Sequence, residues 1–497
     1  MIQDIPKSER QPSLILGFLL AACFGGACWA GVLYKAIYLP LTHDEFSTIA
    51  HYSAFSVRRI MLYPDPWPNN HILNTLLAKL SIHFFGPERW AARLPSVLAF
   101  GIYSGSVLAI GRMLFRKSPF LTAATLVFFT FNPYLLDFFS LGRGYALSVA
   151  FLLASSFFLW RAYISSRETD LWLALFLAML SAYANFTALT FWCAVNGLIL
   201  LLWIGKGESF TPEKAWRKWA FWGLLNAGYL ALIYVPIQKM QSSDQFRFWE
   251  SQSFYKDTVM SLIHNSRYGS SILSLPDSFY GWTFGGLMIL SVGYLAQQIF
   301  RYGMASLFSK SGWVGWALLS LTIAVNRLQA YLLGTPNLTD RTALLFFPLF
   351  VLMTVGWVHE LFRYRPKLTH LIVTPLLALA VWHLGRTWDP ASVWEWRYDA
   401  HTHEVMQDIQ EDLDSSQTAS LDLYWWFYWS FEYERKFGAA PWLQLGPYSK
   451  DFSPTDSVEY CYVPRDELTK WNGHFYPIEE YGEGRYLLLK RKVPRRK

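Results

Sequence analysis

Two adjacent carboxylates, Asp44 and Glu45, stand in the stretch LTHDEFSTIAHYSAF, residues 41–55. Thr42 followed three residues later by Glu45 has the spacing of a capping box, in which each side chain bonds the other's backbone N–H. Asp44 then falls in the first helical turn, where the positive end of the macrodipole favours a carboxylate by roughly 0.3–1 kcal/mol. Capping alone accounts for both charges. A functional reading stands beside it: in a helix starting there, Asp44, Thr48 and His51 fall at i, i+4 and i+7 and share a face. A carboxylate and an imidazole pointing one way can remove a proton from a hydroxyl. Asp44 and Glu45 are therefore the candidate catalytic residues, with His51 a candidate substrate contact.

Further along, PNNHILNTLL places Asn69, Asn70 and His71 at the start of a second helix, either as caps or as donors to a polar headgroup. Arg93 in ERWAARLPS opens an apolar run, where an arginine either snorkels or binds substrate. Arg143 in LGRGYALS, with Tyr145 two residues on, Arg327 in AVNRLQAYLL and Arg341 in NLTDRTALLFF stand near the ends of later apolar runs. Ionisable residues in such runs are costly and face a cavity or a partner. Three guanidinium groups on one side suit a phosphate, which arginine binds bidentately. Pairing with Asp137 or Asp340 is the structural alternative. Arg247, Glu250, His264 and Arg267 share a later loop, but without HExxH or clustered spacing a divalent metal is possible and unsupported. No cofactor is required by these residues.

The elements that must position this chemistry are membrane spans. Of 497 residues 53% are hydrophobic, 18% aromatic and only 16% charged, a balance that excludes an ordinary soluble chain. Apolar segments of helical length fall near 14–37, 93–115, 119–136, 144–163, 171–184, 186–204, 219–237, 280–299, 312–333, 342–361 and 369–386. Leu20-Ala21-Ala22-Cys23 has the look of a lipoprotein cleavage site, but apolar character runs well past Cys23, so the first segment is read as a span. With the N-terminus cytoplasmic, every inner connection carries at least two basic residues, as the positive-inside rule requires. The net charge of +7 therefore reflects topology, and no nucleic-acid motif accompanies it. The four cysteines form no CxxC pattern and no evident disulfide pair.

Three outer pieces are large: loop 38–92, loop 238–279 and the tail from Thr387. The first loop predicts juxtamembrane helices over Glu45–Ile60 and His71–Phe85, separated by the prolines of YPDPWPNN. In the tail, SLDLYWW and SVEYCYV read as strands, HEVMQDIQEDL as a helix and YPIEEYGEGRYLLLKRKV as a hairpin turning at Gly482–Gly484. The expected architecture is an all-α polytopic membrane domain over residues 1–386 with about eleven spans, plus a small C-terminal α/β domain over 387–497.

HDEFSTIAHY, NNHILNTLLAKLSIHFFGPERW, ARLPSVLAFGIYSGSVLAIGRMLF and NPYLLDFFSLGRGYALS together resemble the GT-C integral-membrane glycosyltransferases, in the bacterial branch of protein O-mannosyltransferases and the lipid A aminoarabinose transferase. The likeness is strongest over 14–165 and continues more loosely through DRTALLFFPLF. It implies a polyprenyl-phosphate-linked sugar as donor, a hydroxyl acceptor on a lipid, polysaccharide or protein, and a bacterial inner membrane with the tail outside. Asp44 matches the family's first acidic residue, the general base, with Glu45 its neighbour. His71 falls where the second juxtamembrane helix faces the site, and Arg143 matches an R-x-Y position for the donor's phosphate. Many relatives carry an acidic residue two before that arginine, where this chain has Leu141. The implied reaction is an inverting displacement at the sugar C1. A transporter or lipid flippase is the alternative, which would favour discontinuous helices and midplane charges.

Overall fold

A computed structural model of the chain describes residues 7–205, 212–242, 253–270, 275–303, 313–413, 418–438, 440–450, 458–470 and 473–492. Arg247 and Glu250, named above, lie outside the described residues. The chain opens with α1 (Lys7–Tyr38), α2 (His43–Phe46), α3 (Val57–Met61), α4 (Ile72–Phe85), α5 (Arg89–Leu114), α6 (Pro119–Thr130), α7 (Pro133–Phe139) and α8 (Gly144–Ser165). It continues through α9 (Glu168–Ala184), α10 (Leu189–Gly205), α11 (Pro212–Gln241), α12 (Ser261–Arg267), α13 (Asp277–Tyr302), α14 (Trp313–Leu333), α15 (Phe346–Tyr364) and α16 (Pro366–Thr387). The tail holds α17 (Thr402–Asp412), β1 (Ala419–Leu423), α18 (Tyr428–Phe437), β2 (Leu443–Leu445), β3 (Tyr460–Pro464), β4 (Phe475–Tyr481) and β5 (Tyr486–Arg491).

Among the described residues nine helices are long and apolar enough to cross a membrane, and the bent pair α6 and α7 makes a tenth. The 17-residue α9 occupies the remaining expected segment, so all eleven apolar runs are helical. This is an integral multi-pass membrane protein. The third run is not the straight helix its apolar character predicts: it breaks by 75° between Thr130 and Pro133. Proline cannot donate to the preceding turn, and the Asn132 side chain instead accepts from Leu135 N–H at 3.1 Å, starting α7 afresh.

The helix centre is packed through small residues. α8 buries Ala146, Ser148, Ala150, Ser155 and Ser156, and α9 approaches closely enough for Ser155 Oγ to donate to the Ala174 carbonyl at 2.7 Å. Small side chains let helix backbones come together where no hydrophobic drive separates protein from lipid. Gly144 is required at the head of α8, since a Cβ there would stand 2.0 Å from the Ala184 carbonyl oxygen.

The first large loop departs from its expected shape. The second juxtamembrane helix forms as α4, but the segment 45–60 is broken into α2, a π turn over Ser47–His51, a 3₁₀ turn over Tyr52–Ala54 and then α3. In the tail, β1, β3, α17 and the β4–β5 hairpin form where the patterning placed them. α18 and the short β2 were not foreseen. The five strands run in the order β2-β1-β3-β5-β4, with β1 parallel to β2 and β3, and β5 antiparallel to β3 and β4. Alternation along β3 sends Tyr460 and Tyr462 to the face shared with Val405, Ile409 and Phe431, and Cys461 and Val463 to the other.

This tail domain sits directly on the first large loop. Phe46 stacks on Trp429 with ring centroids 4.7 Å apart, and Tyr433 Oη donates to the Pro87 carbonyl at 2.7 Å. A buried ion pair, Lys35 Nζ to Asp137 Oδ1 at 2.6 Å, adds a second tie. The same lysine donates to the Ser392 carbonyl at 2.8 Å, while Asp137 Oδ2 accepts from Trp394 N–H at 2.8 Å.

Candidate active site

The site is built where α1, α5, α8 and α15 meet the first loop and the segment after α16. Thr42 stops the extended chain and starts α2: its N–H and its hydroxyl each donate to Glu45 Oε2 at 3.0 Å. Glu45 in turn receives Arg93 bidentately, Nε to Oε1 at 2.8 Å and Nη2 to Oε2 at 2.7 Å, and the Gly142 N–H at 2.5 Å. Arg93 Nη1 also donates to the Leu39 carbonyl at 2.9 Å and Nη2 to the Pro40 carbonyl at 2.8 Å, just beyond the end of α1. Both side chains are wholly buried. Burial opposes the Glu45 charge, but Arg93 outweighs it and holds the carboxyl below its ordinary range. Glu45 and Arg93, expected as a catalytic residue and a substrate contact, are thus engaged with each other and with backbone, an arrangement that fixes α2 against α1 and α5.

That anchoring turns the neighbouring Asp44 into a different environment. Asp44 Oδ2 lies 3.1 Å from Arg341 Nη2 and 3.7 Å from Arg143 Nη2, with the carboxylate still partly open. Burial again opposes its charge, and the two arginines, Arg341 first, pull the carboxyl below the usual aspartate value. Arg143 is oriented by the loop: Nη1 donates to the Asp44 carbonyl at 3.0 Å and the Asn69 carbonyl at 3.3 Å, and Nη2 to the Asn69 side chain. Arg341 is held from outside the helix bundle, with Nη1 3.7 Å from Glu395 Oε2 and its guanidinium 5.0 Å from the Trp396 ring centre. Glu395 accepts from the Tyr134 hydroxyl through its other oxygen, and burial raises its carboxyl above the ordinary range despite Arg341.

His71 and Tyr145 line the same region, ring centroids 5.0 Å apart and edge-on. Burial, reinforced by Arg143, keeps the His71 imidazole neutral far below its ordinary titration. His43 and Asp399 close the far side: His43 N–H donates to Asp399 Oδ2 at 2.8 Å, and burial drives the Asp399 carboxyl far above its ordinary value.

Three other expected contacts stand elsewhere. The π turn opens the spacing between successive turns, so His51 leaves the Asp44 face and pairs with Asp65 Oδ2 at 2.7 Å, exposed. Asn70 is buried, donating to the Ile60 carbonyl at 3.1 Å and accepting from Thr75 Oγ1 at 2.9 Å. Arg327 donates to Asn337 Oδ1 at 2.5 Å, and Asn337 donates to Asp257, a separate network. Asp137, next to the missing acidic position at Leu141, is occupied by Lys35 and does not supply that carboxylate. Among the described residues no three His, Cys, Asp or Glu side chains stand together as a metal site.

Linear reasoning missed Tyr134, Glu395, Trp396 and Asp399. The available signal was WEWRYD, an aromatic run with two carboxylates immediately after the last span. Its distance of about 350 residues from Asp44 in the chain hid the connection.

Fold and site together define a multi-pass membrane protein whose C-terminal domain closes over an aspartate held by two arginines. No protein-family model and no curated protein matches the chain. Among solved structures it is similar to ArnT from Cupriavidus metallidurans bound to undecaprenyl phosphate, at 10% identity, covering 96% of this chain and 98% of that one with a TM-score of 0.39. The Archaeoglobus fulgidus oligosaccharyltransferase aligns at 9% identity over 98% of this chain and 74% of its own, TM-score 0.42. Arabinosyltransferase EmbB from Mycobacterium smegmatis aligns at 14% identity over 97% and 46%, TM-score 0.37. Scores of this size leave the functional argument to the site itself.

Proposed function

We propose that the protein is a membrane glycosyltransferase that moves a sugar from a polyprenyl-phosphate-linked donor to a hydroxyl acceptor on the outer face of a bacterial inner membrane. The observation that carries this reading is the partly open Asp44 carboxylate between Arg341 and Arg143. The GT-C resemblance of the N-terminal motifs agrees with it. In the proposed step the acceptor hydroxyl gives its proton to Asp44 and its oxygen bonds to the sugar C1. The C1–O bond to the lipid phosphate breaks on the opposite face, so the configuration inverts. The electron pair stays on the phosphate oxygen, where the guanidinium groups of Arg143 and Arg341 stabilise the added charge. Tyr145 and neutral His71 border the place where the sugar would lie. The phosphate is already an anionic leaving group, so the step needs no cofactor.

The test is transfer from a panel of radiolabelled polyprenyl-phosphate sugars by the purified chain. Asp44→Asn is expected to lower the rate by about 10²–10⁴-fold, the usual worth of a positioned base. Transfer at the parental rate by that variant removes Asp44 from the role. The break between α6 and α7 is a feature that transporters also show. Sealed vesicles that move the donor lipid without forming a glycosidic bond would establish that alternative.

A further inference from the structure

We infer that Glu395 is a positioning residue that competes with the lipid phosphate for Arg341 and thereby governs release of the spent lipid. The inference rests on the phosphate role proposed above for Arg143 and Arg341. Arg341 offers its guanidinium edges to two carboxylates at once, Asp44 at 3.1 Å and Glu395 at 3.7 Å, with Trp396 covering a face. The Glu395 contact is longer than the roughly 2.7–2.9 Å of a firm charge-assisted bond. Its other oxygen is tied to the Tyr134 hydroxyl from α7. Glu395 therefore cannot follow Arg341 toward a ligand, and it waits beside the guanidinium as an anchored, loosely bound counter-anion.

The chemistry of the turnover gives that arrangement a purpose. The donor is a phosphodiester with one negative charge, whereas the lipid left behind is a monoester whose second ionisation has a pKa of about 6. Two arginines alone would thus hold the product more tightly than the donor. With Glu395 ionised, the formal charges of Asp44, Glu395, Arg143 and Arg341 cancel before phosphate arrives. Each negative charge added to the phosphate is then opposed by the fixed Glu395 carboxylate.

Glu395→Gln isolates the charge, because the amide oxygen still accepts from Tyr134. Native mass spectrometry of the full-length chain in detergent, with graded undecaprenyl phosphate, reads the affinity directly, and neutral undecaprenol serves as the control lipid. Glu395→Gln is expected to hold undecaprenyl phosphate about tenfold more tightly than the parent, with undecaprenol unchanged. Arg341→Gln is expected to weaken phosphate binding by at least that factor. Equal or weaker phosphate binding by Glu395→Gln, with the Arg341→Gln loss present, overturns the role of Glu395 alone. Undiminished binding by Arg341→Gln overturns the phosphate reading beneath it.

Discussion

Asp44 and Glu45 are neighbours in the chain with opposite surroundings. Glu45 is saturated by Arg93, Thr42 and Gly142, while Asp44 faces two arginines and remains partly open. Removing either member of the Glu45–Arg93 pair would leave an uncompensated buried charge, which explains why such a pair can be indispensable without touching substrate. Asp399 makes a second, testable case at this scale. Its folded-state pKa is raised by burial, so between the ordinary aspartate pKa and that raised value the unfolded chain has lost a proton the native one keeps. The native state then binds more protons, and stability falls as pH rises through the window. Asp399→Asn removes that slope while leaving an oxygen for the His43 N–H. Melting curves from pH 4 to pH 8 are expected to show the variant gaining on the parent as pH increases. A constant difference would place the Asp399 pKa near its ordinary value.

At the scale of elements, the break between α6 and α7 decides what the third span can do. A straight helix would carry Tyr134 and Asp137 along the membrane normal. The 75° turn lays α7 beneath the tail instead, bringing Tyr134 to Glu395 and Asp137 to Lys35, Tyr268 and Trp394. Asn132 makes the turn: its oxygen caps α7 and its amide donates to Ser266 Oγ at 2.9 Å. Asn132→Ala is expected to cost about 1 kcal/mol of stability, the ordinary worth of a lost cap. It is also expected to lower the proposed sugar transfer, because Tyr134 no longer holds Glu395. An unchanged melting temperature would show that Pro133 suffices for the break. Such breaks are only half legible beforehand: Asn-Pro marks a boundary, whereas the angle depends on what packs against each half.

For the whole molecule, the tail is part of the membrane site. Glu395 and Trp396 meet Arg341, Asp399 meets His43, and α18 stacks on Phe46. All these contacts lie at the ends of the spans that carry Arg143 and Arg341, so the tail and the first loop must share one side of the membrane. The basic residues of the opposite connections make the outside the expected side. Exposed Tyr448 and Arg116 test the orientation through Tyr448→Cys and Arg116→Cys. In intact cells an impermeant maleimide is expected to label the first at once and the second only after permeabilisation. The reverse order would invert the topology without altering the fold.

Much of the architecture was legible because its causes are local or nearly so. Apolar length sets each span, a period of two sets β3 and the hairpin, and Thr42 with Glu45 sets the start of α2. Arg143 and Arg341 stood out as charges beside apolar runs, His71 by its place at the start of the second juxtamembrane helix, and Tyr145 by its R-x-Y spacing from Arg143. By itself the sequence determined a multi-pass helical protein with an α/β tail and placed Asp44 in the loop after the first span. Only the tertiary structure decided that Glu45 is engaged by Arg93, that a π turn carries His51 away, that Arg327 belongs to another network and that Glu395 completes the site. Those outcomes depend on which groups meet across hundreds of residues. The cost of burying a charge is settled by its partners, and spacing along the chain does not specify partners.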